Sequence, residues 1–265
     1  MSIVTSAPTT CKSADDTVTI AKPTVASSAV SSSSSTLADW LWSPVLRGPM
    51  LGMVWRLSSR GKVARVITGS YEPEQTAAFC KYIKRGDVVF DIGAATGYYT
   101  MLSSHLVGAT GKVVAFEPEP KNYRTLTSHV RANRLRQVTT LNHALGGEAG
   151  KLRFGGGSGS GTSRLCSNGE IEVEVRTLDT VAAELQLRPT HMKIDVEGAE
   201  LALLLGGKTT IQSAKPILFL STHPSLTAGV HQNCCQLLQS WGYELLPMLG
   251  TSFEQTTELV ALPKS

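Results

Sequence analysis

The sequence predicts an α/β fold built on a mostly parallel sheet, on three observations. Val88 to Asp91 and Val113 to Glu117 are short apolar runs that each end in an acid, the pattern of a buried parallel strand. Between them, Gly93 and Gly97 make a turn poor in side chains, and Tyr98 to Val107 has the apolar content of a helix. Strand and helix segments then alternate along the chain, which implies right-handed crossovers in one sheet.

Each element follows in order. A helix runs from Pro73 through Ile83 and leads through the turn Lys84-Arg85-Gly86-Asp87 into the first apolar strand. After Glu117-Pro118 a helix over Lys121 to Asn133 returns to a strand near Val138 to Leu141. Gly146 to Asn168 is rich in Gly and Ser and predicts a hairpin with a mobile tip. Ile171 to Arg176 alternates apolar and charged residues, as an exposed strand does. Met192 to Ile194 is a further buried strand ending at Asp195, and Pro216 to Leu220 another, ending near Ser221 and His223. Ligands of open α/β sheets bind beyond the strand C-termini. Asp91, Glu117, Asn142, Asp195 and His223 all fall at such ends, so one crevice is expected to hold them.

The flanking segments are of different character. Residues 1–36 are rich in Ser, Thr, Ala and Val, and too poor in large apolar groups to offset ordering entropy; a disordered tail is expected. A targeting peptide is the lesser reading, since the tail lacks arginine and carries Asp15 and Asp16. Residues 37–68 hold Trp40, Trp42 and Trp55 with Met50 and Met53, which suits either a packing element or an aromatic lid over the substrate mouth. Residues 69–265 form the expected cofactor-binding domain.

Composition narrows the class. The chain has 265 residues, 42% of them apolar, which fits one sizeable domain with a tail. The formal charge of +4 is mild. Two runs without acids, Arg47 to Arg65 and Lys121 to Arg136, read as solvated faces and nucleic-acid binding is not favoured; Arg47 to Arg65, next to the expected pocket mouth, is the better functional candidate of the two. Cys11, Cys80, Cys166, Cys234 and Cys235 show no CxxC spacing, which suits reduced thiols in a cytoplasmic protein and argues against structural zinc. Leu41 to Leu57 is interrupted by Pro44, Arg47 and Pro49 and is not a membrane span.

The two acid-ended strands specify a pocket for a nucleoside-containing cofactor, with Glu117 placed to accept from two ribose hydroxyls. A dinucleotide fingerprint needs G-x-G-x-x-G; here the spacing is G-x-x-x-G with Asp91 two residues before it. A carboxylate there repels a diphosphate and attracts, directly or through water, the ammonium of a methionine-type tail. S-adenosylmethionine is therefore expected over NAD, and an NAD-dependent oxidoreductase is the alternative from another class.

The segments GSYEPEQT (Gly69 to Thr76), RGDVVFDIGAATGYYT, GKVVAFEPEP, NHALGG (Asn142 to Gly147), RTLDT (Arg176 to Thr180) and KIDVEGAE (Lys193 to Glu200) closely resemble the FkbM-type methyltransferases. The resemblance runs from about Gly69 to Tyr243. It implies a class I methyltransferase Rossmann-like fold, a mostly parallel seven-stranded sheet with helices on both faces and a reversed last strand. It also implies S-adenosylmethionine-dependent O-methylation of a hydroxyl on a sugar, glycoconjugate or natural product. Carried across, Asp91, Gly93, Ala95 and Gly97 form the cofactor loop, Glu117 and Pro118 border the ribose, and Asn142, His143 and Ala144 flank the adenine. Glu72 lies near the methionine end, and Asp195 and Glu197 where acceptor meets methyl group. Family members often have an acid after the strand that follows KIDVEG; this chain has Ser221, with His223 two residues on.

The candidate bases are His223, Asp195 and Glu197, since a protonated alcohol is a poor nucleophile. Each has a structural alternative: Asp195 as a helix cap, Glu197 as a dipole partner in the first turn, His223 as a packed imidazole before Pro224. Asp179 of TLD is read as a brace at the sheet edge. Mg²⁺ held by Asp195, Glu197 and a further oxygen ranks below a metal-free mechanism, because no second dedicated acid is legible for it. An amine or nucleic-acid acceptor is the rival within methyl transfer, and a D/N-P-P-aromatic sequence is missing at Asp195-Val196-Glu197-Gly198.

Overall fold

Alternation of period-2 apolar runs with amphipathic helices produces a three-layer sandwich. The computed structural model describes residues 41–58, 62–155, 164–165, 171–250 and 252–264, and residues 36–265 form one compact unit. The expected disordered tail, 1–36, lies outside the described residues, as do Trp40 and the tip of the glycine-rich hairpin.

The described chain opens with an antiparallel pair, β1 (Trp42–Pro44) and β2 (Val54–Arg56), then α1 (Val63–Ile67) and α2 (Pro73–Tyr82). The central run is β3 (Val88–Ile92), α3 (Tyr98–Val107), β4 (Lys112–Phe116), α4 (Pro120–Ala132) and β5 (Val138–Leu141). Next come β6 (Ala144–Gly146), β7 (Gly150–Gly155), β8 (Arg164–Leu165), β9 (Ile171–Thr177) and α5 (Leu178–Leu185). The remainder is β10 (His191–Ile194), α6 (Glu200–Gly206), α7 (Lys208–Ala214), β11 (Ile217–Ser221), α8 (Val230–Ser240), β12 (Tyr243–Pro247) and β13 (Glu258–Pro263).

The main sheet has the order β12-β13-β11-β10-β3-β4-β5, parallel except that β13 runs against both β11 and β12. It is the mostly parallel, seven-stranded class I sheet with a reversed last strand. The predicted exposed strand belongs instead to a second sheet, β6-β9-β7-β8. Its alternation reflects one covered face, where Val173 and Val175 pack on Ala144.

Strand periodicity decides which layer each side chain enters. Phe90, Ile92, Met192, Ile194, Leu218, Leu220, Leu259 and Ala261 face the layer of α5, α6 and α8. Val89, Phe219 and Val260 face the opposite layer with Phe79 and Met101. Asp91, Lys193, Asp195, Ser221 and Glu258 therefore project toward that second side. The N-terminal pair is stitched to α4: Asn133 accepts from the Val54 amide at 2.7 Å and donates back to its carbonyl at 2.9 Å. Trp55 is fully buried and stacks on His129 at 4.0 Å between centroids. Trp42, Trp55, Met50 and Met53 line neither of the cavities described below; from residues 41–58 and 62–68 only Lys62 does.

Candidate functional site

The turn after β3 brings two chain segments into van der Waals contact. Gly93 has φ of +81°, and a Cβ there would meet the Asp195 carbonyl oxygen at 1.8 Å. Gly97 has φ of +96° and opens α3, with its α face against the Leu126 side chain. Only glycine accommodates both the left-handed backbone and the close approach. Ala95, also left-handed at +49°, donates its amide to Glu117 Oε2 at 2.7 Å, and the Glu119 amide reaches Oε1 at 2.9 Å. Glu117 is thus locked at the end of β4. Burial raises its carboxyl to about 7 against those two amides.

One cavity opens over this turn, lined by Gly93, Ala95, Glu117, Pro118, Asn122, His143 and Ala144 on one side and by Lys62, Asp195 and Glu197 on the other. A second cavity is lined by Glu72, Glu74, Gln75, Ser221, His223, Met248 and Glu258, and it shares Asp195 and Glu197 with the first. The crevice expected from the sequence is therefore two adjoining cavities with those two carboxylates between them.

Two expected members line neither cavity. Asp91 is fully buried, because its position in β3 turns it toward α3 rather than out over the strand end. Its Oδ2 accepts from Thr100 Oγ1 at 2.5 Å, and its Oδ1 lies 3.8 Å from Lys193 Nζ. Burial raises its carboxyl despite the Lys193 charge. Asn142 spends its amide on the Glu117 and Pro118 carbonyls, at 2.7 and 3.0 Å, and so ties the end of β5 to the loop after β4. Its neighbours His143 and Ala144 do face the cavity.

Lys193 lies at the centre of the buried charges. It sits opposite Asp91 in the parallel register of β10 and β3 and two residues before Asp195, so all three share one face. Its ammonium reaches Asp195 Oδ2 at 3.1 Å and the Gly93 carbonyl at 3.2 Å. Burial alone would lower it, but Asp195 and Asp91 hold it above its ordinary value. Asp195 would be raised by burial; Lys193 and His223 pull it below the usual range. The signal for Lys193 was a charged residue inside an apolar strand, which folded proteins keep only with partners.

The helix-cap readings of Asp195 and Glu197 do not hold. Helix α6 starts at Glu200, so Asp195 precedes it by five positions and Glu197 sits in a left-handed turn at φ +51°. Glu200 fills the first-turn role, its fully buried carboxylate accepting from the Gly198 amide at 2.9 Å. The same Oε1 accepts from His223 Nδ1 at 2.6 Å, while His223 Nε2 lies 3.5 Å from Asp195 and 3.8 Å from Glu197. Burial would lower this imidazole, but the Glu200 hydrogen bond and the Asp195 and Glu197 charges raise it to about 9. Burial raises Glu197.

Other polar residues organise the rim. Glu72, left-handed at φ +42° ahead of α2, accepts from the Tyr99 hydroxyl at 2.6 Å and lines the second cavity. Glu258 accepts from Gln75 and Ser221 at 2.8 and 2.7 Å. It stands on the reversed strand beside Ser221, an acid that a one-dimensional comparison of motifs did not reveal. Asp179 does not brace a sheet edge: it accepts from the Thr209 and Thr210 amides and caps α7.

A family model described as the methyltransferase FkbM domain matches residues 91–245, more than half of the chain. The chain belongs to the FkbM methyltransferase family. Like its family, this FkbM protein is an S-adenosylmethionine-dependent methyltransferase. It is similar to the hexuronic acid methyltransferase AglP of Haloferax volcanii, 25% identical over 194 residues that cover 69% of this chain and 79% of the relative. Among solved structures, FkbM methyltransferase from Methylobacillus flagellatus aligns at a TM-score of 0.49 and 18% identity. That alignment covers 76% of this chain and 52% of the other, so this FkbM chain spans about half of that one's length. Aeropyrum pernix fibrillarin, solved with S-adenosyl-L-methionine, aligns at 0.43 with 14% identity over 77% and 75% of the two chains. No helix among the described residues is long and apolar enough to cross a membrane.

Proposed function

We propose that this FkbM methyltransferase transfers the methyl group of S-adenosylmethionine to a hydroxyl of a sugar, glycoconjugate or comparable polyhydroxylated small molecule. The observation that carries the reading is the pair Asp195 and Glu197, which borders both cavities at once. The nucleoside end of the cofactor fits the first cavity, with its ribose hydroxyls on Glu117 and its base between Pro118, His143 and Ala144. Glu117 keeps lone pairs free for this, since each of its oxygens accepts one amide and can accept another donor. Asp91 acts from behind the turn through Lys193, not by touching the ligand. The methionine end then points toward Asp195, and the acceptor occupies the second cavity.

That second cavity suits hydroxyls. Glu72, Glu74, Asp195, Glu197 and Glu258 offer it carboxylate oxygens, the natural partners of a polyol. The sulfonium supplies the electrophile, and the protein orients the acceptor oxygen in line with the bond that breaks, which can contribute roughly 7–11 kcal/mol. The hydroxyl proton leaves to a carboxylate that faces it, and His223 Nε2 stands against Asp195 and Glu197 at 3.5 and 3.8 Å. Fold likeness alone does not transfer a substrate, and the uronic acid in the name of the Haloferax relative supports a sugar-type acceptor without naming one.

The test is incubation with methyl-labelled cofactor and a fractionated extract, with the labelled product identified by mass spectrometry. A labelled methyl ether on a saccharide is expected; label on an amine, a carboxylate or nucleic acid overturns the acceptor class.

A further inference from the structure

We infer that Asp195, Glu197 and His223 bind one divalent first-row metal ion at the junction of the two cavities. One ligand atom from each lies within 4.8 Å of the others, and all three residues are partly exposed. The separations are what a coordination sphere requires. His223 Nε2 stands 3.5 Å from Asp195 Oδ1 and 3.8 Å from Glu197 Oε2, too far for hydrogen bonds. Ligands about 2.1 Å from a shared ion, at angles near tetrahedral, lie about 3.4 Å apart.

The surroundings are built in the same sense. His223 Nδ1 is engaged by Glu200 Oε1 at 2.6 Å, which leaves Nε2 as the nitrogen directed at the two carboxylates, and an entering ion displaces the Nε2 proton to solvent. A carboxylate behind the imidazole is the usual support of a metal-bound histidine, fixing ring orientation and raising its basicity. Glu200 is 0% exposed, and its second oxygen has no hydrogen-bond partner, so this buried acid has no evident task except holding His223 and the Gly198 amide. Asp195 is divided likewise: Oδ2 is held by Lys193 at 3.1 Å, and Oδ1 is the oxygen turned to His223. The cavity next to the trio carries Glu72, Glu74 and Glu258 as well, and among the described residues His223 is the one basic residue that lines it. That surplus of negative charge favours a cation. One imidazole with two carboxylates suits Mn²⁺ or Zn²⁺ better than an all-oxygen Mg²⁺ site.

The inference extends the proposed function. An ion held there would supply positive charge beside the acceptor cavity and favour an ionised hydroxyl, and Glu72 and Glu258 line the same cavity as carboxylates for the proton.

The experiment is a MnCl₂ titration of the full-length chain after chelator treatment and removal, read by electron paramagnetic resonance, and repeated with ZnCl₂ by calorimetry. One saturable ion per chain is expected. Glu197→Gln and His223→Gln should abolish it, Glu200→Gln should weaken it about 10–100-fold, and Glu74→Gln, which removes charge but no ligand, should weaken it far less than any of these. Circular dichroism and thermal unfolding confirm that each variant is folded. No saturable binding of either ion overturns the inference, as does an equal loss in Glu74→Gln, which would show only diffuse attraction. Neither acceptor nor methyl transfer enters the measurement, so this result and that of the labelling experiment stand apart.

Discussion

Burial pushes the Glu117 carboxyl up to about 7, while its proposed partners, two ribose hydroxyls, need it ionised. Cofactor affinity should therefore tighten as pH rises from 6 to 8, and calorimetric titration with S-adenosylmethionine across that range checks it. Glu117→Gln should lose the pH dependence together with about 1.5–3 kcal/mol of binding, the value of hydrogen bonds to a charged group. The effect on stability has the opposite sign. A carboxyl raised in the folded state favours folding below its ordinary value of 4.5, and that contribution fades as pH climbs through 7. Lys193 makes a second prediction at this scale. Lys193→Met leaves Asp91 buried without its cation, and unfolding by denaturant should show a loss of about 3–5 kcal/mol. The positions of Gly93 in the turn and Glu117 at the strand end were legible because turn chemistry and strand ends are local. Asp91 was misplaced because its side chain faces α3, which the apolar run around it does not reveal.

Helix α7 begins directly after α6, and its first amides would be unsatisfied but for Asp179, which reaches it from α5 at 2.7 and 3.0 Å. Asp179→Ala should cost about 1 kcal/mol, the usual value of a lost cap, visible as a lowered unfolding midpoint with cofactor affinity retained. The bounds of α2, α3, α4, β5, β10 and β11 fall within a residue or two of those read from the sequence, and α2, α3, α4 and β11 each have a Gly or Pro at a boundary. The start of α6 was not legible. Asp195-Val196-Glu197 looks like a helix opening, but Glu197 and Gly198 both take positive φ, at +51° and +98°, and delay it to Glu200. That delay is what leaves Asp195 and Glu197 free to face the cavities.

At the scale of the whole molecule, the segment before α1 is part of the core it precedes. Trp55 and Met50 are buried with Tyr98 and Phe79 in one apolar cluster. A chain beginning at Thr36 should fold and bind S-adenosylmethionine as the whole chain does, whereas one beginning after Trp55 should be insoluble or unfold well below the parent temperature. Sedimentation of expressed protein and calorimetry separate the outcomes. Trp55→Ala alone should cost about 3–5 kcal/mol.

Periodicity and the spacing of glycines and acids were enough to set the parallel sheet and the turn after its first strand, and the resemblance of short motifs pointed to the methyltransferase family, because each depends on residues close together in the chain. Tertiary structure alone decided which charges meet. Lys193 joins Asp91 through strand register, Glu200 holds His223 across 23 positions, and Glu258 arrives beside Ser221 on a strand that runs the other way. Coulomb and hydrogen-bond energies depend on separation in space, and only the packed sheet brings these groups within a few ångströms.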